Sequence, residues 1–209
     1  MGFRILHLND PTVRQLRKDT PLRNKPLIGR GMFGAAFDNG DTILKLTVDE
    51  AAYMLATDWV VRPDGEHFAK TVHNYGWMGE HSGGYSIYLY EVEKLAKLEA
   101  GSEQRKLARQ LVSQVGGSVR NSWHRARAAQ EALDLHAKDK TLPESIRDTL
   151  LRLSAFLDNV GEHCGLDLHL GNFMVRPSSG TLIFNDPVCD YRTWNRRIQL
   201  NKRRAKFGF

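Results

Sequence analysis

Three polar side chains near the C-terminal end of the chain have the types and spacing that magnesium-dependent phosphoryl transfer requires. They are Asp167, Asn172 and Asp186, and the first two lie five residues apart. This reaction uses one carboxylate to orient and deprotonate the attacking hydroxyl, and an amide and a second carboxylate to hold the metal beside the phosphates. We therefore predict that Asp167 is the catalytic base and that Asn172 and Asp186 bind Mg²⁺. His169 lies between them and can approach the γ-phosphate.

A short hairpin is expected to carry Asp186 back beside Asn172. The apolar residues 173–175 predict one strand, 176–180 a turn and 181–184 a second strand. The hairpin would bring the two metal ligands together.

The helix before this loop has the clearest pattern in the chain. Thr141 and Glu144 have capping-box spacing, and a stop follows at Gly161. Apolar residues recur between them at alternating intervals of four and three, which is the period of a helix buried on one face. Such a helix would support the catalytic loop. Its apolar positions are Ile146, Leu150, Leu153, Leu157 and Val160.

A glycine-rich segment far upstream is suited to binding the ATP phosphates. Gly29, Gly31 and Gly34 have G-x-G-x-x-G spacing, with Phe33 before the last glycine. The dinucleotide form of this motif joins a strand to a helix, whereas the kinase form joins two antiparallel strands. Apolar pairs flank the loop and Asn39-Gly40 predicts a hairpin, so the kinase form is favoured.

Lys45 lies in the next predicted strand, where kinases carry the lysine that contacts the α- and β-phosphates. Kinases pair this lysine with a glutamate on the following helix. Glu50 is the nearest glutamate and Glu66 is a weaker alternative. Thr47 and Glu50 also have capping-box spacing, so Glu50 has a second, purely structural reading.

The strand predicted over 85–93 corresponds in position to the connection between kinase lobes. Its backbone groups at Glu91 and Val92 are predicted to meet the adenine edge. With the phosphate contacts above, the predicted cofactors are ATP and Mg²⁺.

The order of these motifs resembles the protein-kinase-like superfamily. A closer resemblance is to the early serine/threonine protein kinases of short-tailed lytic bacteriophages of the T-seven type. It is carried by four segments and covers most of the chain from about Leu27 to Val188. The segments are Phe33-Gly34-Ala35-Ala36-Phe37, Gly84-Tyr85-Ser86-Ile87, Asp167-Leu168-His169-Leu170-Gly171-Asn172 and Asp186-Pro187-Val188.

This resemblance implies ATP-dependent phosphorylation of serine and threonine on host proteins during takeover of an infected bacterium. The implied partners belong to the transcription, RNA-processing or translation machinery, with RNA polymerase or a ribonucleoprotein as targets, and the implied location is the host cytoplasm. It also implies an α+β, two-lobed minimal kinase-like fold, with an N-terminal antiparallel sheet lobe and a C-terminal helical lobe carrying the catalytic hairpin.

Departures from the kinase pattern leave alternatives open. Gly165 and Leu166 replace the usual His-Arg before the catalytic Asp, and His169 replaces the downstream lysine, as in aminoglycoside-type small-molecule kinases. Pro187 and Val188 follow the metal-binding Asp186 in place of Phe and Gly. The alternatives are therefore a small-molecule kinase or a catalytically silent kinase-like inhibitor that binds a host complex.

The strands precede the helices in this chain, so an α+β architecture is expected. We assign 1–92 to an N-lobe, 93–190 to a helical C-lobe with the catalytic loop, and 191–209 to a basic tail.

The formal net charge is +6 over 209 residues, and much of the basic character lies in the tail. The tail is a solvated arm or a contact for nucleic acid or an acidic protein surface. No apolar run approaches the roughly 20 residues that cross a bilayer, so no membrane contact is expected. Cys164 and Cys189 are expected to be buried. The basic residues of the tail are Arg192, Arg196, Arg197, Lys202, Arg203, Arg204 and Lys206.

Overall fold

The computed structural model describes residues 4–57, 65–116, 126–193, 195–196 and 198–199. The fold is of the mixed α+β type, with antiparallel sheets and several helices. Contacts divide the chain into two compact units. The first unit contains Met1–Tyr53, Thr71–Glu93 and Asp190–Phe209, and the second contains Met54–Lys70 and Lys94–Cys189.

The first unit is built around an antiparallel sheet of five strands in the order β1-β2-β3-β5-β4. Helix α1 packs against this sheet, and helix α2 begins at Glu50. The elements are α1 (Pro11–Asp19), β1 (Leu27–Arg30), β2 (Gly34–Asp38), β3 (Thr42–Thr47), α2 (Glu50–Thr57), β4 (Thr71–His81) and β5 (Tyr85–Glu93). Helix α2 belongs to this unit only as far as Tyr53.

The core of this unit lies on one face of the sheet. Phe37 opposes Leu44 across β2 and β3, and Leu46 opposes Leu89 across β3 and β5. These side chains are fully buried, together with Val13 of α1. Fully burying an aliphatic or aromatic side chain contributes about 1.5–3 kcal/mol. The sheet is therefore fixed by the apolar alternation of its strands.

The second unit is mainly helical and contains two small sheets. One sheet has the order β6-β8-β9, and β7 pairs with β10 in the other. The elements are β6 (Ala96–Lys97), α3 (Glu103–Leu111), a π-helical turn (Val112–Gly116), α4 (Ala126–His136), α5 (Glu144–Val160), a 3-10 turn (Gly161–His163), β7 (Cys164–Leu166), a second 3-10 turn (Leu170–Asn172), β8 (Phe173–Val175), β9 (Leu182–Phe184) and β10 (Val188–Asp190). The last residue of β10, Asp190, belongs to the first unit.

The long helix α5 confirms the pattern expected before the catalytic loop. Ile146, Leu150, Leu153 and Leu157 are fully buried. The helix ends at Val160 and is capped by Gly161, whose φ of 74° suits glycine. The capping box was wrong, because Pro143 precedes the helix without a side-chain cap. The Thr141 hydroxyl instead donates to the Asp139 carboxylate at 2.7 Å.

Two elements of the first unit were missed in the sequence. Helix α1 has a readable start, because the Asp10 carboxylate accepts a hydrogen bond from the Thr12 amide and Pro11 follows at once. Strand β4 is interrupted by Gly76 and Gly79, both with positive φ. Its register with β5 shifts three times, which obscures the alternation that marks a strand.

Other expectations concern thiols, the membrane and the tail. Cys164 and Cys189 are buried and are not disulfide-bonded. Among the described residues, no helix combines the length and apolar character needed to cross a bilayer. Arg197 and the basic residues at 202–206 lie outside the described residues.

Candidate active site

The glycine-rich segment forms the hairpin between β1 and β2. Gly29 lies in β1, Gly34 begins β2, and the Gly31 amide closes the turn by donating to the Gly34 carbonyl at 2.9 Å. A Cβ at Gly34 would come within 3.0 Å of the Leu46 carbonyl oxygen. The last glycine is therefore required by the close approach of β2 to β3. The glycine-rich segment thus joins two antiparallel strands, as the sequence predicted, and not a strand to a helix.

Backbone hydrogen bonds from two other segments of the first unit hold the tip of this hairpin. The Met32 carbonyl accepts a hydrogen bond from the Ile5 amide at 2.9 Å, and Ile5 is buried. The Phe33 carbonyl accepts from the Val48 amide at 2.9 Å. The half-buried Phe33 ring packs against the core of the first unit. This packing gives Phe33, predicted to contact ATP, a structural role as well.

Lys45 lies in the middle of β3, where the sequence placed it. It opposes Ala36 of β2 and Tyr90 of β5. Successive residues of a strand point to opposite faces. Since Leu44 and Leu46 enter the core, Lys45 points to the other face, which it shares with Tyr90. Its side chain is half-buried there.

Glu50 begins α2, and its carboxylate has two protein partners in the first unit. Arg192 donates to Oε2 at 2.5 Å, and the Tyr88 hydroxyl donates to Oε1 at 3.3 Å. The predicted ion pair with Lys45 stays a prediction. The alternative, Glu66, belongs to the second unit, and its carboxylate lies 3.1 Å from Nε2 of His67.

The capping box proposed for α2 was wrong. Asp49 caps the helix, because its buried carboxylate accepts a hydrogen bond from the Ala52 amide at 3.0 Å. The Thr47 hydroxyl accepts from the Asp49 amide at 3.0 Å instead of bonding to Glu50. Glu50 is thus not needed as a cap, and its side chain is available for the contacts described above.

Glu91 and Val92 lie within β5, which pairs with β3 on one side and β4 on the other. The Glu91 carboxylate accepts hydrogen bonds from Asn39, at 2.7 Å, from Tyr75, at 3.1 Å, and from Thr42. Burial opposes ionisation, but these hydrogen bonds hold the pKa of the Glu91 carboxyl below its usual range. Its side chain fastens the β2–β3 hairpin, a role that the sequence did not indicate.

In the second unit, the loop that carries the predicted catalytic base is fixed at both ends by backbone hydrogen bonds. The Asp167 amide donates to the Pro187 carbonyl at 2.8 Å, next to the pairing of β7 with β10. The Asn185 amide donates to the Asn172 carbonyl at 2.9 Å. Strands β8 and β9 form the expected hairpin, with Phe173 opposite Phe184. Asp167, Asn172 and Asp186 therefore lie on one set of adjoining turns.

The Asn172 side chain closes the loop on itself. Its amide nitrogen donates to the Asp167 carbonyl at 2.6 Å, and its backbone amide donates to the His169 carbonyl at 2.9 Å. Because Nδ2 faces the loop, Oδ1 of this buried side chain remains as an acceptor that can bind a cation. The five-residue spacing is what allows this contact.

The Asp167 carboxylate is electrostatically perturbed. Burial raises its pKa, nearby His169 opposes the rise, and the adjacent Asp186 carboxylate adds to it. The side chain is still 46 % exposed. His169 Nε2 lies 3.8 Å from Oδ2 of Asp167, and Nδ1 of His169 accepts from the Gly171 amide at 3.0 Å. This assigns the proton of a neutral imidazole to Nε2, facing Asp167.

The donor set of this loop fits Mg²⁺. Magnesium takes oxygen ligands, keeps several waters and needs only one or two carboxylates from protein. Asp186 and the Asn172 amide oxygen supply such ligands, and a cation would offset the repulsion between Asp167 and Asp186. Among the described residues there is no group of three or more His, Cys, Asp and Glu side chains that could hold a metal ion. An ion bound here would therefore need further ligands from water or phosphate.

The hairpin behind the loop is held by buried polar side chains of the second unit. Arg176 donates to the Glu66 carbonyl at 2.7 Å and to the Phe68 carbonyl at 3.0 Å. The His67 ring lies 2.6 Å from the Leu182 carbonyl oxygen through Nδ1. The segment 66–68 thus lines the hairpin and fixes it through side-chain contacts that no local sequence pattern indicates.

The predicted residues fall into two sets, one in each unit. Asp167, His169, Asn172 and Asp186 lie together in the second unit, and the remainder lie in the first. Sequence reasoning missed Asp49, Asp190 and Arg192, which surround Glu50. Only the acid-rich Asp49-Glu50 pair and the Asp190-x-Arg192 spacing could have indicated them. The set in the first unit is Gly29, Gly31, Phe33, Gly34, Lys45, Glu50, Glu91 and Val92.

No family model matches the sequence of this chain, and no match to a curated protein is found. The roles of Asp167, Asn172 and Asp186 are therefore argued from their chemistry and geometry.

Proposed function

We propose that the protein is an ATP- and Mg²⁺-dependent phosphotransferase with a kinase-like fold that phosphorylates serine and threonine on proteins. The observation that carries this proposal is the loop in which Asn172 donates to the Asp167 carbonyl at 2.6 Å while Asp186 perturbs the Asp167 carboxylate. It joins a general base to two oxygen ligands for a metal. The strand–turn–strand context of the glycine loop and the position of Lys45 in β3 support ATP as the phosphoryl donor.

The reaction would proceed by direct transfer. The acceptor hydroxyl loses its proton to the Asp167 carboxylate as its oxygen bonds to the γ-phosphorus, and ADP leaves with the electron pair of the broken bond. A carboxylate whose pKa is raised is a stronger base while it remains ionised. His169, held by Gly171, orients toward Asp167 and can contact the γ-phosphate.

Positive charge and hydrogen-bond donors would act on the phosphates of ATP. Asn172 and Asp186 would hold magnesium, which would supply positive charge against the phosphates. Lys45 and the amides of the glycine loop would contact the phosphates as point charge and hydrogen-bond donors. The targets implied by the phage-kinase resemblance, host transcription, RNA-processing or translation proteins, remain part of this proposal.

The decisive experiment incubates the purified protein with γ-labelled ATP, Mg²⁺ and a bacterial lysate. We expect label on protein bands, phosphoserine and phosphothreonine after hydrolysis, and no label with Asp167→Asn. Asparagine keeps the size of the side chain but cannot accept the proton, so the rate should fall by about 100-fold to 10,000-fold. Equal labelling by wild type and Asp167→Asn would refute the catalytic role.

A small-molecule kinase is the second candidate, and His169 in place of the usual lysine favours it. The same experiment separates the two, because label would then appear on metabolites and not on protein. If neither is labelled, and expression of wild type and of Asp167→Ala stops bacterial growth equally, a non-catalytic kinase-like inhibitor becomes the better account.

A further inference from the structure

The segment that begins at Asp190, the last residue of β10, holds the start of α2 through a chain of hydrogen bonds within the first unit. The Asp190 amide donates to the Asp49 carboxylate at 3.1 and 3.3 Å. Asp49 in turn caps α2 through the Ala52 amide. Both carboxylates are buried. The first turn of α2 is thus tied to Asp190, only four residues after the predicted metal ligand Asp186.

Arg192 extends this chain to Glu50. The Asp190 carboxylate accepts hydrogen bonds from the Arg192 backbone amide at 2.7 Å, from Nε at 3.2 Å and from Nη2 at 2.9 Å. Nη2 also donates to Glu50 at 2.5 Å. An exposed ion pair alone contributes little. Here the guanidinium is held by a carboxylate whose side chain is 4 % exposed, so it meets Glu50 in a fixed orientation.

Glu50 is held on the face of the sheet that carries Lys45. Tyr88 and Tyr90 point to that face, since Tyr88 opposes Thr47 and Tyr90 opposes Lys45. Tyr88 donates to Glu50, and Tyr53 of α2 stacks on the Tyr88 ring with centroids 4.2 Å apart. The first turns of α2 therefore cover the Lys45 face.

We propose that Arg192 is a positioning residue for the proposed phosphotransfer reaction, holding the Glu50 carboxylate and the first turn of α2 on the sheet face that carries Lys45. This inference rests on the proposed function. Arg192 does not touch ATP in this account. It acts through Glu50. The Glu50 carboxylate places a negative charge on the face that carries Lys45 and so affects how tightly Lys45 binds the phosphates of ATP.

The effect of losing Arg192 should appear in ATP binding more than in turnover. Lys45 contacts phosphates in the ground state as well as in the transition state, so weakening its contact raises KM with a smaller change in kcat. We expect Arg192→Ala to raise the KM for ATP about tenfold, the scale of a modest loss of alignment. Arg192→Lys keeps the charge and should recover part of the loss.

Arg196→Ala is the matched control. Arg196 lies on the same segment and loses the same charge, but it donates to the Gly84 carbonyl at 2.8 Å and stacks on Tyr85 at 4.7 Å without touching Glu50. Its KM should change by less than about twofold. If the segment had a purely structural role, both variants would change the KM for ATP by a similar factor.

A double-mutant cycle tests the route through Glu50. If Arg192 acts through Glu50, then Arg192→Ala combined with Glu50→Gln should be no worse than Glu50→Gln alone. Additive losses, or an unchanged KM in Arg192→Ala, would overturn the inference. If Arg192→Ala does not fold, the same cycle is measured with Arg192→Lys. Additive losses in that cycle would again count against the inference.

Binding of Mg²⁺-ADP, followed by calorimetry, gives a readout that does not depend on transfer. The dissociation constant should rise with Arg192→Ala in parallel with KM and stay near wild type with Arg196→Ala. If the wild type transfers phosphate and Arg192→Ala binds Mg²⁺-ADP as tightly as the wild type, the inference is refuted while the proposed function stands. A wild type that neither binds nucleotide nor transfers phosphate removes the proposed function, and the inference with it.

Discussion

The side-chain amide of Asn172 donates a 2.6 Å hydrogen bond to the backbone carbonyl of Asp167. This contact joins the predicted base to a predicted metal ligand. A side-chain hydrogen bond from Asn172 also reaches the Asp167 carboxylate, where it partly offsets the rise in pKa that burial causes. The spacing of five residues therefore has a structural cause, since it lets one side chain brace the loop while its own oxygen remains available to a cation.

Asn172→Ala should lower the transfer rate and raise the Mg²⁺ concentration that gives half-maximal activity. The substitution removes a metal ligand and the brace on Asp167 together, and misplacement on this scale costs about 100-fold in rate. A Mg²⁺ titration of the initial rate measures both effects. Asn159→Ala, on the exposed side of α5, serves as the control and should match wild type. An unchanged Mg²⁺ dependence would exclude Asn172 from the metal site.

Arg176→Met should destabilise the protein by about 2–4 kcal/mol, because it removes the donors from two carbonyl groups in a buried setting. Urea unfolding measures the free energy. Arg152→Met is the control from the same unit. Arg152 is 41 % exposed and pairs with Asp148 along its helix, so its loss should cost less than about 1 kcal/mol. Equal losses in the two variants would contradict a structural role specific to Arg176.

The free energy of unfolding should fall as the pH is lowered from 7 to 5, and His81 should be one cause. Burial lowers the pKa of His81, although Asp10 opposes the shift. The folded protein therefore binds the proton less readily than the unfolded chain, whose histidine has a pKa of about 6.5. Stability is present above that value and is lost as the pH falls toward the lower folded pKa. The pKa of Asp10 is also lowered, despite its burial, by hydrogen bonds from Ser82. The stability that the ionised Asp10 contributes is therefore lost only at more acid pH.

His81→Asn tests this assignment. Nδ1 of His81 accepts a hydrogen bond from the Gly83 amide at 3.0 Å, and an asparagine oxygen can take its place without titrating. Urea unfolding at pH 7 and pH 5 should show a smaller difference for the variant than for wild type. The same difference in both proteins would assign the pH dependence to other groups.

Catalysis should need no activating phosphorylation. Regulated kinases use the arginine before the catalytic aspartate to bind an activation-loop phosphate. Leu166 occupies that position here and is buried in β7. Protein treated with phosphatase should transfer phosphate as fast as untreated protein, as judged by initial rates after the phosphatase is removed. Activity that is lost after phosphatase treatment and returns when the protein is phosphorylated again would contradict this expectation.

Local patterns predicted the parts of the fold whose causes lie within a few residues. The apolar spacing of Ile146 through Leu157 predicted α5, and the short apolar runs around 176–180 predicted the hairpin. Capping was predicted less well, because Asp49 and Pro143 occupy the helix starts where the patterns favoured Thr47 and Thr141. Several side chains at a helix start can satisfy the same amides, and the backbone path decides which one does so.

The sequence by itself determined the order of the glycine loop, Lys45 and the Asp167–Asn172 pair, because residue type and spacing follow directly from the chain. Only the tertiary structure decided that Arg192 and Asp190 surround the start of α2, and that Arg176 fastens the segment 66–68 to the hairpin. These partners lie about 110 to 140 residues apart in sequence. Contacts at such separation arise from how packed elements meet, and no periodicity or spacing along the chain encodes them.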